Sequence, residues 1–93
     1  MNARARAAAV TRMLAVVELP GTRGMRYSAG EVAAALGVSR ATVIGWIRAG
    51  YLTASLDRFG RYRIRQRSVR RALRDYPQVT VRVVLAQAAR DAA

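Results

Sequence analysis

Ninety-three residues suit one small domain with a terminal extension. There is no cysteine and no histidine, and the five carboxylates (Glu18, Glu31, Asp57, Asp75, Asp91) stand singly. That leaves no disulfide framework, thiolate zinc site, imidazole base or paired-carboxylate centre, so neither an enzyme nor a metal or other cofactor is expected.

The formal net charge is +12, and all 17 basic residues are arginine. Nucleotide bias can choose arginine over lysine, but it does not produce twelve excess charges. The planar guanidinium fork suits phosphate and guanine, so a polyanion is the expected partner, nucleic acid before a membrane surface. No apolar run approaches the ~20 residues that span a bilayer. The opening "MNARARAAAVTRMLAVVELPG" is not a secretory signal, because Arg12 interrupts its apolar stretch and Glu18 follows it, and a cytoplasmic protein is expected.

In chain order, residues 3 to about 18 are good helix formers that stop at Pro20-Gly21. Val10, Leu14 and Val17 share one face with Met13 beside them, so this helix is amphipathic, and Gly21 to Gly24 form a connector. Residues 1–25 are therefore read as an amphipathic helix and connector ahead of a domain at 26–76, with 77–93 as a C-terminal extension.

Ser28-Ala29-Gly30-Glu31 is a capping box that opens a helix through Leu36, with Val32, Ala33 and Leu36 inward. Gly37 ends it in the left-handed conformation. Ser39 caps a second helix, Arg40 to Ala49, with Val43, Trp46 and Ile47 inward and Gly50 closing it. A small residue four positions before the turn glycine, with apolar residues six and nine after it, lets two helices cross closely, as in a helix-turn-helix. An ordinary helical hairpin has similar apolar spacing; the arginine on the outer face favours the DNA reader. Trp46 falls on the inner face and is assigned to the core rather than to base stacking.

"YLTASL" and "RYRIRQ" are two short strands joined by Asp57-Arg58-Phe59-Gly60, a hairpin signal. In the second, Tyr62 and Ile64 alternate with Arg61, Arg63 and Arg65, giving an apolar and a basic face. Charge on an edge strand also guards against aggregation, but after a helix-turn-helix such a hairpin reads as a wing. Ser68 is expected to cap a third helix, Val69 to about Tyr76, ended by Pro77. Val69, Ala72, Leu73 and Tyr76 should face in, and Arg70, Arg71 and Arg74 out. From Arg58 to Arg74 there are eight arginines in seventeen residues and no carboxylate, a stretch suited to phosphate. The tail "QVTVRVVLAQAARDAA" reads two ways: Val79, Val81 and Val83 alternate like a strand, while "LAQAARDAA" favours a helix.

"YSAGEVAAALGVSRATVIGWIRAGYL", with the short hairpin and "RYRIRQRSVRRAL" after it, resembles the winged helix-turn-helix of the MerR-like and excisionase-like superfamily over residues 26 to 76. The resemblance implies an α+β fold: a winged helix-turn-helix with a two-stranded β wing and helical terminal extensions. MerR-type regulators continue into a long dimerisation helix and an effector domain, for which this chain has no room. The short members are the better match, above all excisionases, the recombination directionality factors of bacteriophages and other mobile elements. By that resemblance the chain would bind double-stranded DNA, assemble head to tail, bend the DNA and direct a tyrosine integrase toward excision, without a small-molecule effector. It would work in the cytoplasm of a bacterial host, associated with the nucleoid. A small MerR- or AlpA-like transcriptional regulator is the alternative, and a protein-recruiting subunit with incidental charge is a third reading.

The expected DNA contacts are Ser39, Arg40, Ala41, Thr42, Gly45 and Arg48 on the recognition helix, with Arg40 reading a base and Ser39 and Thr42 on phosphate. Arg58, Arg61 and Arg63 form the wing contact, and Arg26, Ser28 and Arg65 are further phosphate contacts. The amphipathic ends, Val10-Leu14-Val17 and Val79 to Leu85, are the surfaces expected to serve self-association.

Overall fold

The computed structural model describes residues 26–92. The amphipathic helix expected near the amino end, with its connector, lies outside the described residues. The elements run β1 (Arg26–Tyr27), α1 (Ala29–Leu36), α2 (Arg40–Arg48), β2 (Ser55–Leu56), β3 (Tyr62–Arg65), α3 (Gln66–Asp75) and α4 (Pro77–Ala92).

Local chemistry sets the helix-turn-helix. The Glu31 amide donates to Ser28 Oγ at 3.1 Å and the Ser28 amide donates to Glu31 Oε1 at 3.0 Å, so two orphan donors of α1 are satisfied reciprocally. At its other end Gly37 takes φ 77°, and the amides of Gly37 and Val38 both donate to the Ala33 carbonyl. Ser39 then caps α2, accepting from the Thr42 amide at 3.1 Å. The exit of α2 is tighter than the sequence implied: Ala49 is the C-cap, and Gly50 at φ 83° turns the chain. The Tyr51 and Leu52 amides both donate to the Trp46 carbonyl.

That exit shortens the first hairpin strand. With their amides on the helix end, Tyr51 and Leu52 cannot enter a ladder, and β2 is only Ser55–Leu56. Leu52 is buried instead, and the Tyr51 ring packs on Tyr76 with centroids 5.1 Å apart. The expected two-stranded unit is part of a three-stranded antiparallel sheet in the order β1-β3-β2. Arg26 pairs with Arg65 and Tyr27 with Ile64 on one side; Ser55 pairs with Arg63 and Leu56 with Tyr62 on the other.

Helix α3 begins at Gln66, three residues earlier than a Ser68 cap would place it. Arg65, held extended by pairing with Arg26, is the N-cap and makes no side-chain capping bond, so Ser68 sits inside the first turn. The end matches expectation: Tyr76 is extended, as a residue before proline must be. Pro77 opens α4, a position where its missing amide costs nothing.

The tail is therefore a helix and not a strand. Val79, Thr80 and Val83 are buried with Val84 packed beside them, a 3.6-residue pattern hidden under the alternating valines. The Thr80 hydroxyl donates to the Leu73 carbonyl, which satisfies a buried polar group. Val79 and Val83 belong to the core with Val32, Leu36, Val43, Trp46, Ile64 and Leu73, so they are not spare surface for self-association. Only Val81 (52% exposed) and Leu85 (62%) remain on the outside of that segment.

Candidate nucleic-acid interface

Helix α2 carries its inward stripe as expected: Val43 is fully buried, Trp46 is 8% exposed and Ile47 is half-buried. The remaining face presents Ser39, Arg40, Ala41, Gly45 and Arg48 to solvent, with Thr42 half-buried between them. Ser39 Oγ and Thr42 Oγ1 are 2.8 Å apart, and Ser39 Oγ also accepts the Thr42 amide. Whichever hydroxyl donates to the other, one hydroxyl proton is left for an outside acceptor. No acidic residue occupies the first turn of α2, so its positive end is not neutralised from within. A Cβ built on Gly45 would meet nothing within 4 Å, so packing does not require glycine there.

The hairpin tip is organised by one carboxylate. Asp57 Oδ1 accepts the amides of Phe59 (2.8 Å) and Arg61 (3.0 Å), and Oδ2 pairs with Arg63 Nε at 3.3 Å. The Arg61 amide, chiefly, and then the Phe59 amide and the nearby guanidinium groups hold the Asp57 carboxyl below its ordinary value, against a smaller opposing effect of burial. Arg58 and Arg61 both lie over the Phe59 ring, their guanidinium carbons 4.9 and 5.9 Å from its centre.

The proposed contacts thus fall into separate groups. Arg58 and Arg61 are exposed at the tip. Arg63 is on the same hairpin, but part of its charge is engaged by Asp57. Ser28 Oγ accepts the Glu31 amide in the capping box, a bond that does not use its hydroxyl proton. Arg26 and Arg65 face each other across the β1–β3 ladder, an adjacency of like charges that an anion would relieve. They line a shallow depression with Ser55, Arg63, Arg67 and Ser68. Thr53, Arg67 and Ser68 continue it into a second, where Arg70, Arg71 and Arg74 stand. These α3 arginines face outward as expected and are absent from the expected contacts; the arginine run from Arg58 to Arg74 is the signal for them. Phe59, in the sequence only a member of the hairpin loop, carries no signal of a role, because a lone aromatic in a loop has no period to announce it.

The model of a helix-turn-helix domain family matches residues 26–76, which takes in α1, α2, the sheet and α3. The chain belongs to this helix-turn-helix domain family. The family includes excisionase-like and AlpA-type DNA-binding domains, and membership implies sequence-specific binding to double-stranded DNA. Comparison with characterised proteins and with solved structures returned no match. Within the helix-turn-helix domain, α2 is the second helix, directly after the Gly37 turn. Among the described residues no helix is long and apolar enough to cross a membrane.

Proposed function

We propose that this chain is an architectural DNA-binding protein of the excisionase type, which bends DNA and directs a tyrosine integrase toward excision without catalysing a reaction itself. The observation that carries the reading is the pairing of a solvent-facing recognition helix with a basic hairpin ordered by its own carboxylate. The first part of α2 enters a major groove, and Arg40 reads a guanine, an interaction that contributes ~1–3 kcal/mol of discrimination. Arg58, Arg61 and Arg63 lie along the backbone or in a narrow minor groove, and Arg26, Ser28 and Arg65 add phosphate contacts. One module covers little DNA, so neighbouring copies assemble head to tail, and Val81 and Leu85 on α4 are the described apolar surface that serves the contact.

The test begins with selection of bound duplexes from a random pool. The recovered site is then repeated one, two and four times for gel-shift titration with a bending assay on the same fragments. Cooperative filling with bent DNA is expected. Independent filling of straight DNA would remove the excisionase reading and leave a small transcriptional regulator. Arg40→Ala should weaken binding to the selected site more than to random DNA. Equal loss on both would make Arg40 a phosphate anchor.

A further inference from the structure

Four large apolar side chains stand exposed among the described residues: Leu56, Phe59, Val81 and Leu85. Two of them are on the hairpin, in its most basic part. Phe59 is 70% exposed at the turn, and Leu56, 62% exposed, lies opposite Tyr62 on the strand beside it. A single exposed apolar residue on a loose loop needs no explanation. This ring is not on a loose loop. The Phe59 amide is fixed by Asp57 Oδ1, the Gly60 amide donates to the Asp57 carbonyl, and the Asp57 amide donates to the Arg61 carbonyl. Gly60 supplies the left-handed step, φ 74°, that closes the turn. The sequence therefore holds an apolar ring outward on an ordered tip, with the guanidinium carbons of Arg58 and Arg61 4.9 and 5.9 Å from its centre.

We propose that Phe59 is a wedge, whose ring enters between two stacked base pairs from the minor groove while Arg58 and Arg61 hold the phosphates that flank the step. This rests on the DNA-binding reading above and adds the residue that produces the bend. Proteins that kink DNA from the minor groove insert apolar side chains of this kind and open a base step by 20–90°. The neighbouring arginines suit the negative potential of a narrow groove. Leu56 sits on the same face as Tyr62, its partner across the hairpin. The competing use of Phe59 is as a platform that orients the two guanidinium groups toward phosphate. The two uses differ in what they do to the DNA and to the salt dependence.

The experiment uses the full chain and the duplex selected from the random pool, with 2-aminopurine placed at each step in turn and a fluorescence-transfer pair at the ends. Wild-type protein should raise the 2-aminopurine signal at one step or two adjacent ones and bring the ends together. Phe59→Ala, which lies outside the core and should melt like wild type, is expected to abolish both changes. Its affinity should fall roughly 5- to 150-fold, the loss of one base–aromatic stack, with the salt slope unchanged. Phe59→Leu should keep part of the bend. A Phe59→Ala protein that still unstacks and bends the duplex overturns the wedge. So does one whose main defect is a salt slope flattened by about one phosphate contact or more, which identifies the platform. If wild-type protein recovers no duplex from the pool, the DNA-binding reading itself has failed, and the wedge with it.

Discussion

The guanidinium of Arg90 donates to the carbonyl of Ala34 at 3.0 Å, across 56 positions of sequence. Gln87 does the same for the Leu36 carbonyl at 3.3 Å. The last carbonyls of a helix have no partner within it, and here α4 supplies partners for α1. The helix lies beyond the family-matched residues, yet Val79 and Val83 are in the core.

A chain ended at Tyr76 is therefore expected not to fold, although it keeps every residue of the matched domain. Circular dichroism should show loss of helix well beyond the α4 contribution. Arg90→Ala alone should cost only about 0.5–1.5 kcal/mol in a urea titration, since the bond is exposed. A truncated chain with a cooperative melt would return α4 to the status of an appendage.

Asp57 gives the hairpin a pH dependence of known sign. Its folded-state carboxyl is held below the ordinary value of 3.8. The stabilisation is thus complete above that value and is lost as the pH falls through the lower folded one. Amide signals of residues 57–61 should broaden in that acid range while the core stays intact. Asp57→Ala should show the same broadening at neutral pH and weaken DNA binding, with little change in melting temperature.

Gly45 separates stability from binding. Glycine inside a helix costs roughly 0.5–1 kcal/mol relative to alanine, and nothing within 4 Å occupies the space a Cβ would take. Gly45→Ala should raise the melting temperature and lower affinity for the selected duplex, because the missing Cβ lets the helix approach the DNA closely. Equal affinity in the two proteins would show that the groove does not come near this position.

Trp46 anchors α2 to the core from beneath. Trp46→Ala should destabilise the chain by ~3–5 kcal/mol, a large part of the ~5–15 kcal/mol that holds a protein folded. Loss of DNA binding should follow loss of helix at the same denaturant concentration. A folded Trp46→Ala protein that no longer binds would place the ring at the interface.

What the sequence disclosed depended on how local the cause was. The Ser28 and Ser39 caps, the Gly37 turn and the inward stripes of α1 and α2 follow from residues within one or two turns of each other, and all were legible. Strand β1 was not, because two residues have no periodicity, and Tyr27 takes its place in the core through pairing with Ile64 on a distant strand. The start of α3 was misplaced because a serine is a familiar cap, whereas the real boundary comes from Arg65 being tied to Arg26. Valines at 79, 81 and 83 fit two periods at once, and the choice between them is made by what Leu73 and Tyr76 offer Thr80. In the interface, the arginines were plain from charge. The engagement of Arg63 by Asp57 and the outward ring of Phe59 belong to the turn's three-dimensional form, which no spacing announces.

The dependence of the core on α4 has a genetic consequence. Translation proceeds at roughly 5–20 residues per second, so the stretch from Gln66 to the end of α4 at Ala92 is completed about one to five seconds after the hairpin has been made. Until then the nascent chain holds α2 and the hairpin without the core that would present them. A premature stop codon within α4 should consequently act as a null allele, not as a shorter binder that competes with the intact product for the same sites.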